Sequence, residues 1–214
     1  MPIYFQHQID DSTKLGVWRI EEEESFFLSK VEAQRDVSHP HKRLQHLAGR
    51  VLLKHLFPDF PTDLIRIADT RKPFLENEAF HFSISHCDDY AAAIVSSSKR
   101  VGIDIEVPSG KVMRISHKFL HEQEKQMLDE QNVLNATILW SIKEAMFKWW
   151  GRGGIDFSEM LRINAAPLNS EGTLDAHFLK EDMNVQLNVH YKQFSEIVLA
   201  WVHTDANILH PVSS

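Results

Sequence analysis

The sequence predicts an α+β fold, and three observations carry the prediction. Apolar and polar residues alternate with period two at 80–86 and 101–106, the mark of half-buried strands. Residues 41–57 and 140–148 instead repeat every three to four positions, the spacing of one helix face. After the second helical stretch, strand-like segments at 159–163, 173–178, 185–191 and 195–203 follow one another, which reads as antiparallel sheet.

A chain of 214 residues suits one compact domain or two halves of about 100 residues. Its 43% hydrophobic and 25% charged content is that of a soluble globular protein. The net charge of −7 argues against nucleic acid or an anionic membrane as partner, so any anionic ligand must be met by local basic clusters. Cys87 is the only cysteine, which excludes an intrachain disulfide. Met1–Gln6 lacks a basic region followed by an apolar run, and no stretch approaches membrane-spanning length, so a cytoplasmic location is expected. The 13 histidines include no H-E-x-x-H spacing, and His39-Pro40-His41 reads as a helix start rather than a metal site.

Along the chain, 2–8 and 14–20 read as two short strands joined through Asp10-Asp11-Ser12. Glu21 to Glu24 open a helix running to Lys30, where acids complement the helix dipole. In the helix His41–Phe57, Leu44, Leu47, Ala48, Val51, Leu52 and Leu56 form the apolar stripe, Pro58 ends it, and Lys42, Arg43, Arg50 and Lys54 supply a solvated basic face. Residues 65–68 read as a strand. Lys72, preceding Pro73, is extended because the pre-proline position disfavours helix. Strands follow at 80–86 and 90–95, and Ser96-Ser97-Ser98-Lys99 turns into the next. His86-Cys87 is not a nucleophilic pair, because strand neighbours point to opposite faces; Cys87 is expected as a small packed thiol.

The most informative stretch is 100–148. In Val101-Gly102-Ile103-Asp104-Ile105-Glu106 the two carboxylates share one strand face while Ile103 and Ile105 point into a core. In Trp140-Ser141-Ile142-Lys143-Glu144-Ala145-Met146-Phe147-Lys148, residues Trp140, Glu144 and Lys148 form one helical stripe. Should the stripe face the acidic strand, three carboxylates and one amine converge. Three oxygen ligands with water in the remaining places suit Mg²⁺. Taken singly, each motif also fits a solvated face or a surface ion pair. The helix ends at Gly151, and Asn207 onward reads as a loose tail.

The arrangement G-I-D-x-E, then W-S-x-K-E-A-x-x-K, resembles the signature of 4′-phosphopantetheinyl transferases of the long, surfactin-synthetase type, over roughly 30–163. The resemblance implies transfer of phosphopantetheine from coenzyme A to a serine of an acyl or peptidyl carrier protein, releasing 3′,5′-adenosine bisphosphate. It implies Mg²⁺ held by Asp104, Glu106 and Glu144, with Lys148 or Glu144 taking the serine proton. Arg71-Lys72-Pro73 is similar to the family's G-K-P element and Phe82-Ser83-Ile84-Ser85-His86-Cys87 to its F-N-I-S-H-S element, so Lys72, Ser85 and His86 are expected on the phosphates or nucleotide of coenzyme A. Lys30 matches a position used for the 3′-phosphate. The basic position three residues on is Ala33 here, and Lys42 or Arg43 is expected to substitute. Glu124 matches a recurrent acid, which could equally be a helix acid near an N-terminus, and Gly151-Arg152-Gly153-Gly154 matches a glycine-rich segment.

The implied fold is two similar α/β halves with antiparallel sheets, related by a pseudo-twofold axis, with the active site in the cleft between them. Residues 1–102 would carry the coenzyme A-binding elements and 103–214 the metal site and catalytic helix. A shorter branch builds its cleft between subunits, and this chain is about twice as long, so a monomer is expected. Lys111 to Leu120, with Arg114 and Lys118 on one face, Met113 beside them and Phe119 or Leu120 adding apolar contact, reads as the carrier-docking surface, or equally as a helix whose Ile115, Phe119 and Leu120 are core and whose basic residues are merely solvated. Two other readings stand beside this one: a Mg²⁺-dependent enzyme acting on another nucleotide diphosphate, and a non-catalytic carrier-binding protein of the same fold.

Overall fold

The computed structural model describes residues 3–32, 37–128, 132–164 and 166–209. The chain divides into two compact units, Met1–Val101 and Gly102–Ser214.

The first unit opens with β1 (Ile3–Asp10) and β2 (Thr13–Arg19), a hairpin whose turn is fixed by Ser12 donating from its backbone N–H and its hydroxyl to Asp10 at 2.8 Å each. Helix α1 is confined to Glu24–Leu28. It is shorter than the acidic run suggests, because the Glu22 carboxylate accepts the Trp18 indole N–H at 3.1 Å and stays outside the helix. Helix α2 (Pro40–Leu56) starts at His39, whose ring Nδ1 accepts from the Lys42 backbone N–H. The short pair β3 (Arg66–Ile67) and β4 (Pro73–Phe74) precedes β5 (His81–Cys87) and β6 (Tyr90–Ser96). The main sheet is antiparallel in the order β1-β2-β6-β5. Its central strand carries Ala91 and Ala93, whose small side chains leave room for Leu47, Val51, Leu52 and Leu56 of α2. Leucine burial of this kind contributes about 1.5–3 kcal/mol per side chain.

The second unit holds α3 (Gly110–Phe119), α4 (Val133–Trp150), β8 (Leu161–Ile163), β9 (Glu171–Lys180), β10 (Met183–Gln193) and β11 (Val198–Asp205). Strand β7 (Lys99–Glu106) contains the boundary and joins a five-stranded sheet in the order β7-β11-β10-β9-β8. The three pairs from β8 to β11 are antiparallel. Helix α4 lies on this sheet: Ile142, Ala145, Met146 and Trp149 share a core with Phe178, Val189, Ala200 and Val202. The protein is α+β with antiparallel sheets, as its periodicities predict. A 3₁₀ turn at Ala206–Leu209 occupies the start of the expected tail, the rest of which lies outside the described residues. Among the described residues no helix is long and apolar enough to cross a membrane.

Candidate functional site

The site in the second unit begins with a close approach. A Cβ on Gly102 would lie 2.1 Å from the Ala145 carbonyl oxygen and 2.6 Å from the Trp149 backbone nitrogen. Only a residue without a side chain lets β7 lie this near α4. Asp104 and Glu106 share the Gly102 face by strand alternation and so look onto the same helix. Helix α4 is capped by Asn132, whose side chain accepts from Asn135 N–H at 3.0 Å, and ends at Gly151 with φ 72°. Its stripe lies along the strand. Trp140 Nε1 donates to Glu106 Oε1 at 3.1 Å, and Lys148 Nζ donates to Asp104 Oδ1 at 2.6 Å. Both faces of the strand are covered, for Ile103, Asp104 and Ile105 are all 2% exposed or less.

Burial decides the electrostatics. Glu106 is pushed up to about 7, first by burial and then by the Asp104 charge, against the Trp140 hydrogen bond and the Lys148 and Lys111 charges. Glu144 is pushed up to about 7 by burial and by Asp104, with Lys148 opposing and Glu106 adding to the rise. These mutual effects show that the three carboxylates sense one another. Among the described residues no three acidic, histidine or cysteine side chains already stand in a ligating arrangement, and the cation against Asp104 is the Lys148 ammonium. The donor set nevertheless fits a hard dication. It is all carboxylate oxygen, and two of its members carry an unfavourable charge that a nearby cation would relieve.

Behind the stripe, Lys143 is fully buried. Its ammonium donates to Glu124 Oε2 at 2.5 Å, to the Phe119 carbonyl at 2.7 Å and to the Phe157 carbonyl at 2.9 Å. Glu124 in turn accepts the His121 and Ile163 backbone N–H groups, each at 2.7 Å. Glu124 is therefore not a solvated helix acid; at 1% exposure it joins α4 to β8, and through Lys143 the pair also reaches the end of α3. Trp140 is held between Phe119 and Phe157, at ring distances of 5.0 and 5.6 Å, which fixes the indole that meets Glu106. Phe119 and Leu120 are 1% and 2% exposed and belong to the core, which selects the core reading for these two residues over the docking one.

In the first unit the expected coenzyme residues come from separate elements. Lys30 is exposed, with its ammonium 4.8 Å from the Phe26 ring centre. Arg43 forms a two-point ion pair with Glu24, at 2.8 and 2.7 Å, and also donates to the Val37 carbonyl. The guanidinium ties α1 to α2. Ala33 lies outside the described residues. Arg50, expected on a solvated face, is 5% exposed and packs its guanidinium on His46. Ser85 is 6% exposed, whereas His86 is exposed and Cys87 half-buried. Lys72 lines a small cavity with His81 and Arg100, at the end of β5 away from His86. His81 and His86 are separated by about 16 Å of strand. Sequence periodicity missed His81, Arg100 and the buried Lys143–Glu124 pair, because each grouping joins residues from separate segments.

The sequence model of the 4′-phosphopantetheinyl transferase superfamily matches residues 100–202. Enterobactin synthase component D of Salmonella austin is 32% identical over 111 residues, covering 50% of this chain and 47% of that protein. The 4′-phosphopantetheinyl transferase gsp of Aneurinibacillus migulanus is 36% identical over 94 residues, covering 42% and 39%. The 4′-phosphopantetheinyl transferase psf-1 of Bacillus pumilus is 33% identical over 118 residues, covering 50% of each chain. The chain spans about half the length of the curated relatives it matches. The matched segment 100–202, which contains Asp104, Glu106, Glu144 and Lys148, is similar to the 4′-phosphopantetheinyl transferase superfamily.

Proposed function

We propose that the protein transfers the 4′-phosphopantetheine group of coenzyme A to a serine hydroxyl of an acyl or peptidyl carrier protein. The serine oxygen bonds to the phosphorus next to pantetheine, the bridging P–O bond breaks, and 3′,5′-adenosine bisphosphate leaves. The observation that carries the reading is the carboxylate cluster of Asp104, Glu106 and Glu144, with Lys148 on Asp104, inside the family-matched segment. Bound to those carboxylates, Mg²⁺ would neutralise charge on the diphosphate.

Glu144 is the proton acceptor in this reading. A carboxylate has two oxygens, so one can meet a cation while the other takes the serine proton. Lys148, which donates to Asp104, stabilises charge on the transferring phosphoryl group. Lys30, Arg43, Lys72, Ser85 and His86 remain the proposed contacts to coenzyme A, carried by residues 1–102, with the metal and the catalytic helix carried by 103–214. The same reading has the chain acting as a monomer in the cytoplasm.

Intact-mass measurement on apo carrier proteins incubated with enzyme, coenzyme A and Mg²⁺ tests this. One added phosphopantetheine per carrier is expected. Asp104→Ala, Glu106→Ala and Glu144→Ala should each abolish the gain without unfolding the chain. Carriers that all keep their apo mass, with ATP rather than coenzyme A bound by the enzyme, would move the activity to another nucleotide substrate.

A further inference from the structure

We infer that Lys54 is a further contact to the donor and joins Lys30 in holding its 3′-phosphate; the inference rests on the transferase reading. The two lysines come from separate elements, Lys30 from the segment after α1 and Lys54 from the last turn of α2. They meet at two adjoining clefts in the first unit, each bordered by both side chains. The larger, about 520 Å³, also has Thr62, Glu32 and Asp63 on its border. The smaller, about 360 Å³, is walled by Trp18, Phe26 and Val51, with His55 beside Lys54 and no described acid on its border. Both volumes fall within the roughly 300–1,000 Å³ of small-molecule sites.

The lysines stand where the two clefts meet, and neither is spent elsewhere. Among the described residues neither ammonium forms a salt bridge or a hydrogen bond. Lys30 lies over the Phe26 ring, 4.8 Å from its centre. A phosphate monoester at this meeting point takes a charge-assisted hydrogen bond from each ammonium, and the adenosine that carries it has the Phe26 and Trp18 wall to pack on. Glu32 and Asp63 are exposed on the larger cleft, so the dianion is favoured toward the smaller one. The other basic positions are elsewhere. Ala33 brings no charge. Arg43 bonds Glu24, and neither it nor Lys42 borders either cleft. Lys42 lies about 18 Å from Lys54 along the α2 axis.

Isothermal calorimetry with coenzyme A and with dephospho-coenzyme A, which lacks the 3′-phosphate, tests the contact. The wild type should prefer coenzyme A. Lys54→Gln should cut that preference about tenfold while leaving the affinity for dephospho-coenzyme A unchanged, and Lys30→Gln combined with Lys54→Gln should bind the two ligands alike. Lys42→Gln should keep the wild-type preference. A lysine in the last turn of a helix also suits the helix dipole, but that role would lower the Tm without moving the preference. Lys54 is exposed, so its variant is expected to fold. A preference unmoved by Lys54→Gln, an equal loss for both ligands, or a loss in Lys42→Gln instead overturns the inference. Carrier mass gain in the wild type separates the two claims. Gain with a preference indifferent to Lys54 removes this contact alone, and no gain with a preference that depends on Lys54 removes the transferase reading alone.

Discussion

Lys143 and Glu124 form an ion pair at 2.5 Å with neither side chain more than 1% exposed. Burial pulls the Lys143 ammonium down to about 8 while the Glu124 charge pushes the other way. The pair persists because all three ammonium protons are used and both carboxylate oxygens accept: two backbone carbonyls complete the ammonium and two backbone N–H groups reach the carboxylate. Such pairs contribute little net stability, but losing one partner strands a buried charge.

Lys143→Met should therefore cost about 3–5 kcal/mol in denaturant unfolding. Adding Glu124→Gln should recover part of that loss, because the amide oxygen still accepts a backbone N–H while the stranded charge is gone. A single variant as stable as the wild type would show that the pair does not hold α3, α4 and β8 together.

Gly102 makes a second prediction. Gly102→Ala drives a methyl into the Ala145 carbonyl and the Trp149 amide, so α4 must move off β7. Overpacking of this kind costs about 1–3 kcal/mol. The shift also separates Lys148 from Asp104 and Trp140 from Glu106, so carrier modification should fall more steeply than thermal stability. Activity unchanged in a stable Gly102→Ala protein would show that the strand–helix spacing does not set the chemistry.

The pH dependence of the metal-free protein follows from Glu106 and Glu144. Both carboxyls titrate near 7 in the fold and near 4.5 when unfolded. Between those values the folded chain holds protons that the unfolded chain has released. Stability therefore falls as pH rises through this window, and each group accounts for a loss on the order of 3 kcal/mol. His81, lowered in the fold, acts in the opposite sense near its own ordinary range, so the comparison is made between the wild type and Glu106→Gln. The variant should flatten the fall between pH 4.5 and 7. Mg²⁺ should raise the wild-type Tm more at pH 7.5 than at pH 5, because a cation competes with protons for the carboxylates. Identical pH profiles in the two proteins would remove Glu106 from the titrating cluster.

Local periodicity made much of this legible. Alternation placed Asp104 and Glu106 on one strand face, and the four-residue spacing placed Trp140, Glu144 and Lys148 on one helix stripe. The structure adds the contacts Trp140–Glu106 and Lys148–Asp104. Contacts between segments were not legible. Glu124 stands 19 residues before Lys143, and nothing in its neighbours distinguishes a buried acid from a helix-capping one. Arg43 reads as surface charge until α1 brings Glu24 to it. Gly102 reads as an ordinary strand glycine until the backbone of α4 is seen against it.

The carrier surface gives the last prediction. Carrier proteins are expected to be acidic, and this chain carries a net charge of −7, so long-range charge opposes their encounter. Docking must then use a local basic patch. On α3, Arg114 and Lys118 are exposed and one turn apart, with Lys111 and His117 also exposed, while Phe119 and Leu120 are in the core. The alternative, the outer face of α2, is weaker because Arg50 is buried and Arg43 is tied to Glu24, which leaves Lys42 and Lys54. Arg114→Glu combined with Lys118→Glu should raise KM for the carrier about tenfold, about 1.4 kcal/mol, and leave KM for coenzyme A unchanged. The effect should shrink with added salt, since exposed charges are screened over about 10 Å at 0.1 M. Carrier kinetics that match the wild type at low salt would transfer the docking surface to Lys42 and Lys54 of α2.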